Sequence, residues 1–164
     1  MIGLETERLV FRQWKNSDFG EFLAFYSDEI NSRFVGGIKK PEDAWRLMAG
    51  YAGHYTLKGF SYLATVEKAT NRLVGTVGLW DSEPWPENEL GYWLLSRAQG
   101  TGFGVEAGIA VRDFARHKLN LPSLVSYIDP ANEPSKRLAL KLGAKPDGII
   151  GLQDYGPHEV YRYW

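Results

Sequence analysis

The chain contains no cysteine, which removes disulfide frameworks, thiolate metal sites and cysteine nucleophiles from consideration. It has no excess of either charge. Its 19 Lys and Arg stand against 20 Asp and Glu, a formal net charge of −1, so no global basic field exists to hold nucleic acid. No apolar run approaches the roughly 18 residues that a membrane helix needs, so no membrane partner is expected. The segment from Met1 to Arg8 is mixed and acidic, unlike a secretory signal. Histidine is scarce and scattered. His54, His117 and His158 form no H-x-x-x-H or H-E-x-x-H spacing, and no metal site is expected. What remains is 164 residues, 44% hydrophobic and 24% charged, the size and composition of one globular domain spanning 1–164. The expected location is the cytoplasm.

Two residue classes are plentiful. The 18 glycines exceed the usual ~7%. Six Trp, nine Tyr and eight Phe imply a large core, an aromatic-lined pocket, or both. Alternation marks Leu4–Gln13 as a strand, and Asn16-Ser17-Asp18 offers caps for a helix through Phe19–Tyr26. Pro41-Glu42-Asp43 opens a second helix that Gly59 ends. A meander follows: Phe60–Glu67, Leu73–Trp80 and Glu89–Leu95. The period then changes to helical from Gly102 to Lys118, with Ala107, Val111 and Ala115 on one stripe. Leu124–Ile128 reads as a strand and Pro134–Leu142 as a helix capped by Gly143. Strands at Lys145–Gly151 and Glu159–Tyr163 finish the chain, and Val160–Trp164 reads as an edge open to a partner. The order is βααβββαβαββ. Adjacent strands followed by a β–helix–β crossover imply an α+β fold, a mixed central sheet with helices on both faces.

The chemistry concentrates in Gln99-Gly100-Thr101-Gly102-Phe103-Gly104-Val105, between a strand and a helix. Glycines let the backbone turn and a ligand approach, and the helix start presents unpaired N–H groups at the positive end of its dipole. Together they suit a pyrophosphate. Val105-Glu106 stands where a P-loop needs Lys-Ser/Thr. Gly102-x-Gly104-x-x-Ala107 matches a dinucleotide fingerprint but lacks the acid expected about 20 residues on.

Gln99-x-x-Gly102-x-Gly104 resembles the Q/R-x-x-G-x-G/A loop of the GNAT acetyltransferase superfamily. Thr6-Glu7-Arg8-Leu9-Val10-Phe11-Arg12 resembles the opening strand of its ribosomal-protein N-acetyltransferase branch. Glu89-Leu90-Gly91-Tyr92-Trp93-Leu94 resembles the fourth strand, Glu106-Ala107 the pair after the loop, and Asn132-x-x-Ser135 the later helix. The blocks occur in family order across nearly the whole chain.

The resemblance implies an acetyl-CoA-dependent N-acetyltransferase, with acetyl-CoA as co-substrate, a small-molecule amine or a protein N-terminus as acceptor, and a monomer or homodimer. Strands four and five would splay around the pantetheine. Backbone groups of Trp93, Leu94 and Leu95 would hold its amides, and Gln99, Gly100, Thr101, Gly102, Phe103, Gly104 and Val105 would wrap the pyrophosphate. Asn132 and Ser135 would face the thiol. Glu89 is the expected base, directly or through water. Ser135 and Tyr127 are the two candidates to protonate the thiolate, because the superfamily's Tyr acid position holds Ala139. Arg97 and Lys136 are candidates for the 3′-phosphate. Phe34, Trp80, Trp85 and Tyr155 are expected to line the acceptor pocket. The absent Tyr leaves one alternative, a non-catalytic acyl-CoA-binding or sensor domain.

Overall fold

A computed structural model describes residues 1–164. The elements are β1 (Leu9–Arg12), α1 (Phe19–Tyr26), a single-turn α2 (Glu29–Ser32), α3 (Pro41–Lys58), β2 (Tyr62–Glu67), β3 (Arg72–Trp80), β4 (Glu89–Leu94), α4 (Phe103–His117), β5 (Val125–Ile128), α5 (Glu133–Lys141), β6 (Lys145–Gly151) and β7 (Pro157–Arg162). The seven strands form one mixed sheet in the order β1-β2-β3-β4-β5-β7-β6. Only the β4–β5 pair is parallel. The helix boundaries follow their local chemistry. Pro41 starts α3, and Gly59 closes it at φ 78°.

Each face of the sheet has its own core. On one, α4 lays Phe103, Ala107, Val111 and Ala115 against Leu9, Phe11, Leu63, Val77 and Leu90. On the other, Phe22, Phe25 and Tyr26 of α1 meet Ala44, Met48 and Tyr51 of α3, with Trp93 from β4 at the centre. Trp93 stacks on Phe25 at 4.0 Å between ring centres.

Three expectations change. β1 begins at Leu9 rather than Leu4, because the chain before it folds back and Glu5 bridges Val10 in antiparallel fashion. α2 adds one turn, capped by the Asp28 carboxylate on the Asn31 N–H. The C-terminal strand is not an edge. β7 lies between β5 and β6, and the edges are β1 and β6. β7 pairs antiparallel with β5 on one side and β6 on the other, so its backbone groups are satisfied on both sides.

No helix is long and apolar enough to cross a membrane. Gly78, in mid-β3, marks a close backbone approach. A Cβ there would lie 2.2 Å from the Ser61 carbonyl oxygen. Gly78→Ala is expected to cost about 1–3 kcal/mol, a fall of a few degrees in Tm by calorimetry. An unchanged Tm would mean that β2 and β3 can separate at no cost.

Candidate active site

The β4–β5 pairing is brief. Val125 N–H donates to the Asn88 carbonyl (3.0 Å), Glu89 stands opposite Val125, and the register ends there. The next ladder position is taken by a side chain. Ser126 Oγ donates to the Leu90 carbonyl (2.6 Å) and also meets the Tyr163 hydroxyl (3.1 Å). Beyond this point β4 keeps its antiparallel bonds to β3 only. Leu95 N–H donates to the Val74 carbonyl (2.9 Å), and the antiparallel alternation turns Trp93 the same way. Tyr92 and Leu94 therefore turn their backbone groups into the gap. The Leu94 carbonyl is met there by the Gln99 side-chain amide (3.1 Å). Of the three residues expected to hold pantetheine amides, Leu94 has free backbone N–H on the open side, and Leu95 does not.

The gap leads to the glycine loop. Gly100 and Gly102 take φ of 74° and 86°, and Gly102 caps α4. The first main-chain bond of the helix runs from Glu106 N–H to the Gly102 carbonyl, so Gly104 and Val105 present N–H groups that no protein acceptor meets. Gly104 itself is hemmed in. A Cβ there would lie 3.2 Å from the δ carbons of both Leu94 and Leu138. The loop is braced from the far end of the chain. Thr6 Oγ1 donates to Glu106 (2.5 Å), Arg8 N–H and Nε donate to the same carboxylate (2.9 and 2.7 Å), and Arg8 Nη1 reaches the Thr101 carbonyl (3.1 Å). Burial alone would raise the Glu106 pKa, but these donors hold it below the ordinary value.

Glu89 sits at the root of the split, buried. Tyr62 hydroxyl (3.0 Å) and Trp85 Nε1 (2.9 Å) both donate to its Oε2. Burial pushes its pKa up to about 7, against these two donors and the Tyr127 backbone N–H, which favour the charge. Gly91 makes room for the contact, because a Cβ would lie 2.3 Å from the Tyr62 hydroxyl. A carboxyl with its pKa near neutrality can accept a proton at physiological pH.

A cavity of about 210 Å³ opens beside Glu89, and fifteen of its 25 lining residues are hydrophobic. Phe34, Trp80, Trp85 and Tyr155 all line it, as do Tyr127, Asn132 and Ser135. The Asn132 side chain accepts from the Ser135 N–H (3.3 Å) and caps α5, while the Ser135 carbonyl takes the Tyr92 hydroxyl (3.0 Å). Ser135 Oγ meets no protein partner and is not buried. The Tyr127 hydroxyl is buried without a side-chain partner, and burial with the nearby Glu87 and Glu89 charges pushes its pKa up to about 12.

A family model for the acetyltransferase (GNAT) domain matches residues 8–145. The chain belongs to this family. It is an acyltransferase, and its relatives are N-acetyltransferases. An uncharacterized N-acetyltransferase of Bacillus subtilis, YoaA, is 27% identical over 150 residues, covering 90% of this chain and 85% of that protein. An acetyltransferase from Agrobacterium tumefaciens superposes with a TM-score of 0.89 at 32% identity, over 98% of this chain and 93% of the other. RimL, a ribosomal L7/L12 α-N-protein acetyltransferase solved with coenzyme A, shares the fold. Its TM-score is 0.79 at 16% identity, over 98% of this chain and 96% of its own.

Within the GNAT frame, the candidate phosphate cations are already engaged. Arg97 pairs with Glu21 and donates to the Leu73 carbonyl (2.8 Å), and Lys136 pairs with Glu159 (2.8 Å) and Glu133 (3.1 Å). Two loop acids are likewise held, Asp81 by Lys58 (2.7 Å) and Glu87 by Arg162 (2.8 Å). No group of three or more His, Asp or Glu side chains gathers to hold a metal ion. Sequence reasoning missed Tyr62, Ser126 and Arg8 as parts of the site. Only Arg8 carried a signal, since it lies within the quoted opening motif.

The raised Glu89 pKa has a stability consequence with a definite sign. Above the ordinary value of 4.5 the unfolded chain loses this proton while the folded chain keeps it up to about 7. The parent therefore loses stability as pH rises through that window, by about 3 kcal/mol in total. Glu89→Gln, which cannot titrate, is expected to gain about 2–4 kcal/mol on the parent between pH 4.5 and 8 in urea titrations. A difference independent of pH would show that Glu89 ionises normally.

Proposed function

We propose that this chain transfers an acetyl group from acetyl-CoA directly to a primary amine, on a small molecule or a protein N-terminus, in the cytoplasm. The observation that carries the reading is that β4 and β5 part after one register position, with a buried carboxyl of pKa about 7 at that point and the glycine loop following β4. The residues fit CoA at each point. The free N–H groups of Gly104 and Val105 suit the pyrophosphate, with Gln99 through Phe103 shaping the loop around it. The Leu94 N–H, turned into the gap, suits a pantetheine amide or the thioester oxygen.

Chemistry then follows from proton inventory. An ammonium ion cannot attack, so the amine must lose a proton near pH 7. Glu89, with Oε2 tied to Tyr62 and Trp85, takes that proton on its carboxylate, directly or through water. The amine nitrogen bonds to the thioester carbon, the oxyanion is met by a gap-facing N–H, and the C–S bond then breaks. As the intermediate collapses to the amide its nitrogen sheds a second proton, and Ser135 Oγ, the hydroxyl with free surface on the cavity, relays that proton to the departing thiolate, giving up its own and regaining one from the nitrogen. Tyr127 is less suited, because its oxygen has no exposed surface and holds its proton up to about 12. Tuning a buried carboxyl to neutrality destabilises the fold, which argues against a domain that merely binds acyl-CoA.

Acetyl-CoA at 100 times its Kd is expected to add about 2.7 kcal/mol of stability, read as a thermal shift that NADH does not give. Gly104→Val, whose side chain would push on Leu94 and Leu138, is expected to weaken acetyl-CoA at least tenfold. Unchanged affinity would sink the loop assignment. In thiol-release assays kcat/KM is expected to rise with pH through about 7, and Glu89→Gln to lose about 10²–10⁴-fold together with that inflection. Full activity in Glu89→Gln would remove Glu89 as the base.

A further inference from the structure

The cavity has a second end. Opposite Glu89, Lys39 Nζ donates to the Gly36 carbonyl (3.1 Å) and lies 5.6 Å from the centre of the Tyr26 ring. A Cβ on Gly36 would be 3.2 Å from that ammonium and 4.0 Å from Tyr155 Cε1, so the cation also stands close to Tyr155. Lys39 is the only Lys or Arg on the cavity wall. Lys58, Lys68 and Lys136 are each held by a carboxylate, whereas Lys39 has no acidic partner. Of the other ionisable groups on the wall, Asp129 accepts from the Ala131 N–H (2.7 Å), and His158 Nδ1 faces the Gly156 carbonyl (3.2 Å).

Two aromatic walls join the cation to the carboxyl. Along one, the Tyr26 and Tyr51 hydroxyls are 3.5 Å apart, Tyr51 and Tyr62 pack edge to face at 5.3 Å, and Tyr62 reaches Glu89. Along the other, Tyr155 and Trp85 pack at 6.0 Å, and Trp85 reaches Glu89. The space is thus flat-walled and apolar, with an acid at the reacting end and an unpaired ammonium at the far end. An ammonium with one carbonyl partner and no acidic one has donors left for an anion. A polypeptide N-terminus would bring an amide group at every residue, and ring faces leave such groups unsatisfied.

We propose that the acceptor is a small molecule whose amine is separated by a flat apolar body from a carboxylate, and that Lys39 binds this carboxylate. The inference rests on the acetyltransferase reading and narrows its acceptor class. Lys39 acts on specificity and takes no part in the bond changes.

Three matched probes test it: 4-(aminomethyl)benzoate, its methyl ester and benzylamine, titrated calorimetrically into the CoA-saturated protein. The carboxylate probe is expected to bind at least tenfold tighter than the other two. Lys39→Met is expected to erase that advantage and leave benzylamine affinity where it was, while Lys39→Arg retains the preference. Equal affinities, a preference that survives Lys39→Met, or no binding by any probe would overturn the inference. A prior CoA titration keeps the two readings apart. CoA binding without a carboxylate preference defeats only the acceptor class, whereas a protein that does not bind CoA defeats the acetyltransferase reading and this inference with it.

Discussion

The parallel pairing of β4 with β5 lasts for a single register position, Glu89 opposite Val125, and the site is a consequence of that brevity. Two strands in one sheet ordinarily satisfy each other's backbone groups, and a break leaves donors and acceptors to be accounted for. Here the carbonyls are met locally while the Leu94 N–H is left free. Ser126 Oγ caps the Leu90 carbonyl, the Gln99 amide caps the Leu94 carbonyl, and the Tyr92 hydroxyl ties the far side of the gap to α5. The cavity beside Glu89 is lined from both strands that part here, β4 and β5.

Glu89 illustrates the tension between stability and chemistry. Its oxygen has two side-chain donors, so the carboxyl is well oriented, yet burial outweighs them and moves its pKa to about 7. The position is defended by steric detail elsewhere. Gly91 leaves room for Tyr62, and Trp85 is itself packed edge to face on Tyr127 and Tyr155. A single carboxyl is thereby connected to three strands and the β3–β4 loop.

A second linkage joins parts of the chain that are distant in sequence. The opening motif around Thr6 and Arg8 and the Glu106 that follows the glycine loop lie 98 residues apart from Arg8 to Glu106, yet they form one hydrogen-bonded unit. Arg8 also lies 4.5 Å from the centre of the Phe103 ring at the start of α4. The segment just before β1 thus fixes the helix terminus from outside and leaves the Gly104 and Val105 N–H groups unpaired.

Local physics made much of this protein legible from its residues. Hydrophobic period, prolines at helix starts and glycines at helix ends marked nearly every element. The glycine cluster around Phe103 marked a candidate anion site, because backbone conformation and a helix terminus depend on neighbours in sequence. The placement of β7 inside the sheet was not legible, since strand order is set by pairings between segments distant in sequence, and no local signal encodes it. Neither was the convergence of Tyr62, Trp85 and Glu89, or that of Lys39 with Tyr26 and Tyr155. Those contacts join different elements, and a pKa or an unpaired charge is a property of surroundings that only the packed sheet and helices create. Sequence alone determined the elements and the chemistry available. Tertiary structure decided which groups are buried, which are paired, and which remain free to act, because burial and pairing arise only when distant segments meet.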